Sequence, residues 1–583
     1  MARGKKKGER TLAVVDSETD PFLFGRVPKP FSWGFYEKGN YVDFVDDKLS
    51  TCTEKLLDYL IGRTDPLLIY AHNGGKFDFF FFMEHGAIEN PALIINGRIV
   101  KACFLGIHEI RDSYAIMPLP LKKMVDKENG SKLDIDYAKL EKEVRHLHMP
   151  EILKYQKQDC IVLFGYVEKF RERFGDKLTV GSAAITELEK FHPVSRQNTS
   201  HDIQFRPFYF GGRVECFEAG KISAPPGRKL KIYDVNSMYP GAMRSFDHPT
   251  GARYVALKDI GNKFNKRTGD IKGFGGVYFM RFVGRNDNAL PRRNDETGIL
   301  QFNHPYGEFF ACSHEIKAAC ELGLITVDKI IDVFVPCNYQ RFEAFVDTFG
   351  AEKILAKQNG DDAGEIFSKL ILNSAYGKFG SNANEFKEWY IYDDQADDAE
   401  KIKFEEWRDS HPTIRGGKDG KAISRGAEMV HDYGRFEIWQ APNPSDRGFF
   451  DVAVAASITS AARSMLLRAI RAAERPLYCD TDSLVCLGLS GVEIDDYKMG
   501  AWKFEGSTDA IYIAGKKMYS CLLDQPGKDG KPKYKTASKG AHLDHNDIVA
   551  LCAGKIVHWQ SDAPNFKFSG DTKFVARNIR KNV

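Results

Sequence analysis

Short apolar runs that end in acidic or turn-forming residues recur in the first third of this chain. Residues 11–18, TLAVVDSE, and residues 66–78, PLLIYAHNGGKFD, contain continuous apolar stretches of strand length. Residues 151–170, EILKYQKQDCIVLFGYVEKF, instead space their apolar side chains along one face of a helix. Because strands and helices mix here, the pattern predicts an α/β domain over residues 1–190.

The rest of the chain repeats the junction between a strand and an acid, and it adds two long helical patterns. Residues 228–240, RKLKIYDVNSMYP, predict a buried strand that ends at an acid. Residues 364–380, GEIFSKLILNSAYGKFG, predict a helix closed by glycine, and the Ala-rich residues 451–474 predict another. Residues 382–447, with the acidic YDDQADDAE and the turn-rich RGGKDGKAISRG, have little helical periodicity and predict an inserted, hairpin-like excursion. Residues 530–540, GKPKYKTASKG, predict a basic linker or loop into a C-terminal module.

Length and composition are those of a globular protein with several domains. A chain of 583 residues is too long for one core, so about two to four domains are expected. Apolar residues make up 43% and charged residues 28%, as in soluble globular proteins. The net charge of +3 hides an asymmetry, because residues 531–583 carry ten Lys and Arg against four Asp and no Glu. A basic C-terminal module favours a polyanionic partner, although a solvated basic face would carry the same charge.

Cysteine usage and the apolar runs predict the compartment. The eleven cysteines include no Cys-x-x-Cys pair, which argues against a zinc site and a disulfide framework and for a reducing compartment. The basic start, MARGKKKGER, runs into a strand-like TLAVV and not into a signal-peptide core. No apolar run approaches the ~20 residues of a membrane span. We therefore expect a cytosolic protein without a membrane partner.

The hexamer YCDTDS, residues 478–483, places Asp480 and Asp482 two positions apart between apolar segments. Two carboxylates at close range repel each other, and each is costly to bury. A divalent cation between them would offset both costs. A hairpin turn would also accept this sequence, since Asp and Ser are favoured in turns. The hexamer alone leaves both interpretations open.

Four further carboxylates are spread over three predicted elements of the first domain. Asp16 and Glu18 lie two positions apart on a strand, so both point to the same side. Asp78 follows AHNGGKF, and Asp159 lies on the predicted helix. Such a set of acids suits a two-metal site that cleaves phosphodiesters. Tyr155, one helical turn before Asp159, would share its face and could hold the attacking water.

A second acidic set is predicted in the larger part of the chain. Asp234 ends a predicted strand and would join the acids of the hexamer if the chain folds back. Between them along the chain, Lys369, Asn373 and Tyr376 fall at i, i+4 and i+7 on one helical face. A lysine, an amide and an aromatic ring on one stripe suit a triphosphate and a base, whereas a core stripe would more often carry Leu or Met.

Six short motifs stand in a fixed order along the chain. DSE, HNGGKFD and YQKQD come first, followed by DVNSMYP, KLILNSAYGKFG and YCDTDS. In this order they resemble the three 3′–5′ exonuclease motifs and the three polymerase motifs of family B DNA polymerases. YFGG, residues 209–212, and KMY, residues 517–519, are similar to the Tyr-x-Gly-Gly and Lys-x-Tyr motifs of the protein-primed phage subgroup. The resemblance covers nearly the whole chain.

The resemblance implies an α/β multidomain fold. It combines an RNase H-like exonuclease domain over residues 1–190 with a right-hand polymerase domain over residues 191–583. The parts implied for the polymerase domain are a palm with insert 1 at about 255–350, fingers at about 351–381, insert 2 at about 382–447, palm again at 448–529 and a thumb at about 530–583.

The resemblance also implies a role for each matching residue. Catalytic roles fall on Asp234, Asp482, Asp480, Asp16, Glu18, Asp78, Asp159, Tyr155 and Lys132. The expected metal ligands are Asp234, Asp482, Asp16, Glu18, Asp78 and Asp159, with two Mg²⁺ per active site and Mn²⁺ as a substitute. Nucleotide binding falls on Tyr239, Lys357, Lys369, Asn373 and Tyr376. DNA binding falls on Asn73, Ser113, Tyr209, Gly211, Gly212, Ser237, Gly377, Lys517 and Tyr519.

Two positions depart from the motifs of the subgroup. HNGGKFD is one residue longer than in the best-known small phage enzymes, and Met238 stands where Leu is usual. Neither change removes a reactive group.

Members of the protein-primed subgroup start synthesis on the hydroxyl of a terminal protein. We therefore expect a monomer that replicates a viral or linear-plasmid genome in the cytoplasm of a host, for instance a bacterium. Its partners would be template and primer DNA, dNTPs and a terminal protein, and it would proofread and displace a strand. A DNA-primed family B repair polymerase is an alternative. A catalytically silent DNA-binding scaffold would not need all seven acids, and a nuclease alone would leave two polymerase motifs unexplained.

Overall fold

The computed structural model describes most of the chain. It covers residues 10–23, 26, 28–46, 51–125, 128–258, 260–382, 387–415, 422–424, 426–442, 449–527, 530–565 and 573–581. None of the helices in these ranges combines the length and the apolar character that crossing a bilayer would require.

A seven-stranded sheet organises the N-terminal domain. The elements described there are β1 (Thr11–Thr19), β2 (Pro30–Glu37), β3 (Asn40–Val45), α1 (Cys52–Ile61), β4 (Leu67–Ala71), α2 (Asp78–Glu84), β5 (Ile88–Ile95), β6 (Arg98–Phe104), β7 (His108–Asp112), α3 (Arg145–Phe174) and α4 (Val180–Phe191). The strand order is β3-β2-β1-β4-β7-β6-β5, and β1, β4 and β7 are parallel. Leu12 and Val14 of β1 pack in the cluster that contains α3, whereas Ala13 and Val15 pack in the cluster that contains α1 and α2. This burial on both faces explains the continuous apolar run of β1.

The larger part of the chain supplies the remaining elements. Up to residue 379 these are β8 (Arg196–Gln197), α5 (Thr199–Phe205), β9 (Val214–Cys216), β10 (Gly220–Ser223), β11 (Leu230–Val235), α6 (Met238–Ser245), β12 (His248–Leu257), β13 (Phe279–Arg285), β14 (Arg292–Arg293), β15 (Leu300–Gln301), β16 (Tyr306–Cys312), α7 (Ser313–Glu321), β17 (Lys329–Gln340), α8 (Glu343–Asn359) and α9 (Asp362–Phe379). Beyond it these are β18 (Lys387–Asp393), α10 (Asp398–Asp409), β19 (Ile414–Arg415), β20 (Ala422–Ser424), β21 (Glu428–Asp432), β22 (Phe436–Pro442), β23 (Phe449–Phe450), α11 (Val452–Ala472), β24 (Ala473–Asp480), β25 (Ser483–Leu489), β26 (Trp502–Thr508), β27 (Ala510–Gly515), β28 (Met518–Leu522), β29 (Tyr534–Ser538), α12 (His545–Cys552), β30 (Val557–Asn565) and β31 (Lys573–Ile579).

An antiparallel sheet in the order β26-β11-β25-β24-β9 forms the base of this larger region. Helix α11 packs on β24 and β25 and also against α6, α7 and α9. Most of its residues are buried, and many of them are Ala or Ser, so that neighbouring elements can approach from several sides. Asp451 caps the helix, because its carboxylate accepts a hydrogen bond from the Ala453 N–H at 2.9 Å.

A buried ion pair ties this base to the linker that follows the N-terminal domain. Arg463 of α11 forms a bidentate pair with Glu315 of α7, with both N···O distances at 2.7 Å and each side chain 2% exposed. The third guanidinium nitrogen donates to the carbonyls of Phe210 and Gly211. Every charge is therefore paired or hydrogen-bonded, which a buried pair requires.

Helices α8 and α9 form an antiparallel hairpin beside the N-terminal domain. Gly360 closes α8 in the left-handed region, with φ at 64°, and the Asp361 carboxylate caps the start of α9. Phe367 of α9 packs edge-on against Tyr166 and Phe170 of α3, with ring centroids 6.0 and 5.7 Å apart. The hairpin thus rests directly on the N-terminal domain.

Residues 387–442 form a three-stranded sheet, β18-β22-β21, with α10 packed on it. The prediction of a hairpin-like excursion without helical character is therefore wrong. Phe404 is the one buried residue of α10, and it stacks on Tyr392 with centroids 4.3 Å apart. Because α10 buries a single side chain within an acidic run, its sequence shows no apolar spacing that would predict a helix. The turn-rich residues 416–421 lie outside the described residues.

This segment packs on the N-terminal sheet. The Asn90 amide donates to the Ile391 carbonyl at 2.8 Å and accepts from the Ile391 N–H at 3.0 Å. Arg435 pairs with Asp393 at 2.7 and 2.8 Å, and it also donates to the Glu84 carbonyl at 3.1 Å. Three apolar side chains of the segment belong to the core cluster of that sheet, namely Ile391, Phe436 and Ile438. The segment and the N-terminal domain therefore share one core.

The prediction of a linker or loop at residues 530–540 is wrong for its middle part. Residues 534–538 are β29, the edge strand of the sheet β10-β27-β28-β29. Thr536 bonds Ser520 of β28 at 2.6 Å between hydroxyls. The basic sequence GKPKYKTASKG predicts a linker or loop, but lysines also occur on edge strands that have one face in solvent. The domain boundaries stay predictions, and this sheet spans the boundary predicted at 530.

Candidate active sites

Two neighbouring strands bring Asp234 and Asp482 together. Asp234 lies near the end of β11, and Asp482 lies in the turn between β24 and β25. The N–H that follows Asp234 donates to the Asp482 carbonyl at 2.7 Å, and Thr481 holds the turn with a left-handed φ of 59°. Asp480 ends β24, and it accepts a hydrogen bond from the Lys517 ammonium at 2.6 Å. The chain thus folds back as the second acidic set requires.

Burial and mutual repulsion act on this pair of acids. Burial is the largest cause that raises the pKa of Asp234 to about 7, and the Asp482 carboxylate adds to it. Burial also raises the pKa of Asp482. The Lys535 ammonium on β29 opposes both shifts, whereas the Glu505 carboxylate on β26 adds to the first. Sequence reasoning missed Lys535, because it assigned residues 530–540 to a linker, and it missed Glu505, which no motif had marked.

A stacked pair of tyrosine rings lies beside the acids. Tyr239 of α6 and Tyr376 of α9 have ring centroids 4.1 Å apart and an interplanar angle of 24°. Lys369 and Asn373 are exposed on the same face of α9, and Lys357 is exposed on α8. The structure therefore places the five predicted nucleotide-binding residues on three helices that contact one another.

Two glycines at this site lie too close to a neighbour for a Cβ atom to fit without a shift, one against backbone and one against a side chain. A Cβ atom on Gly241 would lie 2.5 Å from the Gly500 Cα. A Cβ atom on Gly212 would lie 2.6 Å from the Thr481 hydroxyl oxygen. The second approach presses the predicted linker motif against the turn that carries the acids. Tyr209 of the same motif packs against Gly380, the residue that follows α9. A Cβ atom on Gly380 would lie 2.6 Å from the Tyr209 phenol oxygen.

The predicted DNA-binding residues near this site differ in how accessible they are. The Lys517 ammonium forms an ion pair with Asp480. Tyr519 is 7% exposed, and its ring centroid lies 4.8 Å from that of Tyr478. Ser237 adopts the left-handed backbone conformation, with a φ of 52°. A Cβ atom on Gly211 or Gly377 would meet no other atom within 4 Å.

The second candidate site lies in the N-terminal domain, where three elements meet. Asp16 and Glu18 are on β1, Asp78 begins α2 and Asp159 is on α3. The Ser17 hydroxyl donates to Asp78 at 2.5 Å. Helix α3 packs across β1, and the four carboxylates come close enough to perturb one another's titration.

Burial is the largest perturbation in this cluster too. It raises the pKa of Glu18 to about 8 and that of Asp78 to about 6, and it raises the pKa of Asp16 well above its usual range, where Asp159 and Glu18 add to the effect. The Asp159 Oδ1 atom is buried without a hydrogen-bond partner, and its other oxygen pairs with Lys132. Among the described residues no three Asp, Glu, His or Cys side chains are placed to chelate one ion as they stand. An orphaned oxygen within a set of repelling carboxylates nevertheless fits divalent cations in its donor chemistry.

Lys132 and Tyr155 complete this cluster. The Lys132 ammonium lies 4.3 Å from the Tyr155 ring centroid while it pairs with Asp159. Burial raises the pKa of Tyr155, so its phenol keeps its proton. The structure therefore brings Lys132 to the acids from the segment before α3, and its catalytic role stays a prediction.

Ser113 does not present its side chain to a bound strand, contrary to the sequence prediction. Its side chain is fully buried, and its hydroxyl lies 2.9 Å from the His72 Nδ1 atom and 3.3 Å from the Ala71 carbonyl. Burial lowers the pKa of His72 to about 4, so the ring stays neutral. Asn73 is exposed in the left-handed region, with φ at 64°. The motifs predict DNA contacts for both residues but do not show how deep each side chain lies.

Comparison with known proteins gives one consistent result. Residues 64–432 match the family of DNA polymerases type B, organellar and viral. The DNA-directed DNA polymerase of Enterobacteria phage PRD1 is 39% identical over 99% of each chain. The DNA polymerase of Bacillus phage Nf is 24% identical over 73% of this chain and 69% of its own. The solved structure of phi29 DNA polymerase with primer-template DNA and incoming nucleotides has a TM-score of 0.72 and 16% identity over 98% of this chain and all of that one. This likeness confirms the predicted fold.

The cluster of buried acids in the N-terminal domain predicts that Glu18→Gln stabilises the cation-free protein at high pH. Because the pKa of Glu18 is higher in the folded state, its contribution to stability is present below about pH 4.5 and is lost as the pH rises through about 8. Glutamine has no such proton to lose. Urea unfolding in chelator at pH 8 should show a gain on the order of 2–4 kcal/mol, shrinking toward zero at pH 5.

The matched control is Glu143→Gln, which changes an exposed acid of the same domain. It should alter the unfolding free energy by less than about 0.5 kcal/mol at either pH. A Glu18→Gln variant that is no more stable than the unchanged protein at pH 8 would show that the carboxylates do not strain the fold.

Proposed function

This chain belongs to the type B DNA polymerases of organelles and viruses, and we propose that it replicates a viral or linear-plasmid DNA genome, starts on a terminal protein and proofreads with a 3′–5′ exonuclease. The observation that carries this proposal is the presence of two clusters of buried or half-buried acids, one at the N-terminal sheet and one at the sheet that contains β11 and β24. Each cluster has its own lysine, Lys132 at Asp159 and Lys517 at Asp480. Synthesis and degradation each require such a cluster.

The polymerase site binds and orients the primer and the nucleotide. Asp234 and Asp482 would hold two Mg²⁺ ions, or Mn²⁺ in their place. When bound, these ions lower the pKa of a primer 3′-hydroxyl and offset the charge of the triphosphate and the departing pyrophosphate. The ammonium groups of Lys357 and Lys369 bind the phosphates, and the Tyr376 ring packs on the nascent base pair. The remaining residues have one role each: Tyr239 excludes a 2′-hydroxyl, Asn373 orients the nucleotide and Asp480 holds Lys517 toward the primer strand.

The exonuclease site removes a mispaired 3′ end. Asp16, Glu18, Asp78 and Asp159 would hold a second pair of divalent ions, which supply the attacking hydroxide and stabilise the leaving oxygen. Tyr155, whose phenol stays protonated, orients the attacking water by hydrogen bonding. The other contacts proposed for DNA come from two groups of residues, Lys132 and Asn73 at this site and Tyr209, Gly211, Gly212, Ser237, Gly377 and Tyr519 near the polymerase site.

Protein priming is supported by the linker motif. Residues 209–212 lie against the turn of the polymerase acids and are fixed to α11 through Arg463. A linker held there can guide either a template strand or the chain of a priming protein into the same site. We propose that the protein acts in the cytoplasm of its host cell as a monomer.

The test is incubation with a candidate terminal protein, labelled dNTP and Mg²⁺. We expect a covalent protein–nucleotide product from the unchanged polymerase and from the double variant Asp16→Asn, Glu18→Gln. Asp234→Asn should abolish the product, because one of the two ligands for the ions at that site is lost.

The same variants provide the control when single-stranded DNA is offered instead. Asp234→Asn should still degrade it, and the double variant should lose at least about 100-fold in rate. If the unchanged enzyme extends a DNA primer but never labels a terminal protein, the DNA-primed repair polymerase is the better proposal. Loss of both activities in folded Asp234→Asn would contradict two separate sites.

We further propose that residues 387–442 help to separate the strands of downstream DNA. Their core is shared with the N-terminal domain, so they form a fixed wall and not a loose arm. The test joins Asp394 to Arg435, whose backbones are already hydrogen-bonded at 3.0 Å, through a two-residue Asn-Gly turn in place of residues 395–434. This change keeps the three apolar side chains that bind the segment to the sheet.

Gap filling on a primed single strand should survive in this shortened variant, because the acids and the nucleotide-binding helices are untouched. Synthesis through a downstream duplex should fall by about tenfold or more, since unpairing must then rely on thermal fraying alone. Retained degradation of single-stranded DNA controls for folding of the N-terminal domain. Undiminished strand displacement would assign the separation of strands to another part of the chain.

A further inference from the structure

The side-chain amide of Gln156 lies between α3 and the sheet of the N-terminal domain. The residue is completely buried, and its amide nitrogen donates to the Asp16 carbonyl at 3.0 Å and to the Ser32 carbonyl at 3.2 Å. Its oxygen accepts from the Ser32 hydroxyl at 2.7 Å and from the Tyr41 hydroxyl at 3.3 Å. An amide has two N–H donors and one oxygen with two lone pairs, so its whole hydrogen-bonding capacity is used. This one side chain therefore joins α3 to β1, β2 and β3.

These hydrogen bonds lie level with the two acids of β1. In the register of β1 and β2, Gly34 lies opposite Asp16. Ser32 lies opposite Glu18. A Cβ atom on Gly34 would lie 3.1 Å from the Gln156 Cγ atom, which is closer than ordinary van der Waals contact. The glycine therefore lets α3 approach the sheet closely beside both acids.

The same amide controls the position of the acid on the helix. Asp159 follows Gln156 by three residues, so the two share a helical face and lie about 4.5 Å apart along the axis. A hydrogen-bonded helix is stiff over such a distance, so a shift of α3 at Gln156 moves Asp159 by a similar amount. Asp16 is held from the other side through its own carbonyl. Gln156 thus fixes the separation between the carboxylates of β1 and that of α3.

A hydrogen-bonded amide suits this task better than an apolar side chain. An apolar group of the same shape would fill the space at a similar free energy, because a buried amide costs free energy unless its hydrogen bonds are made. Hydrogen bonds, however, depend on direction as well as distance, so they restrict how α3 can slide over the strands. Mg²⁺ requires near-ideal octahedral geometry, with oxygen ligands at about 2.0–2.1 Å. Acids on two separate elements can satisfy this requirement only if their separation is held within a few tenths of an ångström.

We propose that Gln156 is a positioning residue, which sets the distance between the acids of β1 and Asp159 and so determines how tightly the exonuclease site binds Mg²⁺. This inference rests on the proposed exonuclease function. It assigns a role to a side chain inside the motif YQKQD, from which only Tyr155 and Asp159 had been given one. Gln156 acts through the Asp16 backbone and the path of α3, without contacting cation or DNA.

The test compares Gln156→Met, which keeps the length of the side chain and removes its hydrogen bonds, with Thr53→Val. The Thr53 hydroxyl accepts the indole N–H of Trp33 at 2.9 Å, and Trp33 packs in the cluster of α1 and α2 on the other face of the sheet. The control thus also loses a buried hydrogen bond of this domain. In degradation of single-stranded DNA, Gln156→Met should raise the Mg²⁺ concentration for half-maximal rate by about tenfold or more. Excess Mg²⁺ should restore most of the rate, and Thr53→Val should leave the Mg²⁺ requirement unchanged.

A milder variant covers the case in which Gln156→Met does not fold. Ser32→Ala removes only the hydroxyl that donates to the Gln156 oxygen, and it should raise the Mg²⁺ requirement severalfold. If both single variants fold, the effects in the double variant should be less than additive, because the two changes remove the same contact.

Cation-dependent stability provides a measurement that does not depend on activity. It uses the background Asp234→Asn, Asp482→Asn, which removes the acids of the other site, so that added cation stabilises the fold by binding in the N-terminal domain. The Mg²⁺ concentration needed to raise the unfolding temperature should be about tenfold higher once Gln156→Met is added. Ca²⁺, which accepts longer distances and flexible geometry, should stabilise both proteins at similar concentrations.

Three results would overturn the inference and leave the exonuclease function intact. They are an unchanged Mg²⁺ requirement in folded Gln156→Met, the same rise in Thr53→Val, and an equal loss of Mg²⁺ and Ca²⁺ stabilisation. Absence of any degradation of single-stranded DNA by the unchanged protein would instead refute the proposed exonuclease function.

Discussion

Repulsion between buried carboxylates is the constraint on which both sites depend. Each site draws its acids from different elements, and burial there favours their neutral forms, as shown by the raised pKa values of Asp234 and Glu18. A fold that only had to be stable would not concentrate acids in this way. Divalent cations bound between the carboxylates would offset the free-energy cost of burying them close together. The cations would favour the ionised forms and replace repulsion between carboxylates by attraction to the metal.

Rigid connections hold these two strained sites in one molecule. The Phe367 contacts place the hairpin of α8 and α9 on α3, the helix that also carries Asp159. Arg463 joins α11 to α7 through Glu315 and to residues 210–211 through their carbonyls. The shared core fixes residues 387–442 to the N-terminal sheet. In the proposed function, a primer end that left one site for the other would move through a framework whose parts contact one another directly. This arrangement suits an enzyme that alternates between synthesis and proofreading on one strand.

The sequence predicts much of this architecture because its strongest signals are local. The apolar run of β1 and the helical periods of α3, α9 and α11 lie where the patterns place them. Asp16, Glu18, Asp234 and Asp480 lie at or near the ends of strands, and the patterns found them for that reason. The errors concern features fixed by tertiary contacts. Helix α10 buries one side chain, β29 becomes a strand only beside β28, and the depth of Ser113 depends on the packing of His72.

Cleavage of the backbone by bound iron tests the central claim most directly. Fe²⁺ can replace Mg²⁺ at carboxylate sites, and with ascorbate and peroxide it cuts the nearby chain. The account predicts two groups of cuts, one near residues 16–18, 78 and 159 and one near residues 234 and 480–482. The double variant Asp234→Asn, Asp482→Asn should lose the second group alone. Cuts that ignore both clusters, or that survive this double variant unchanged, would contradict the claim that cations hold these acids together.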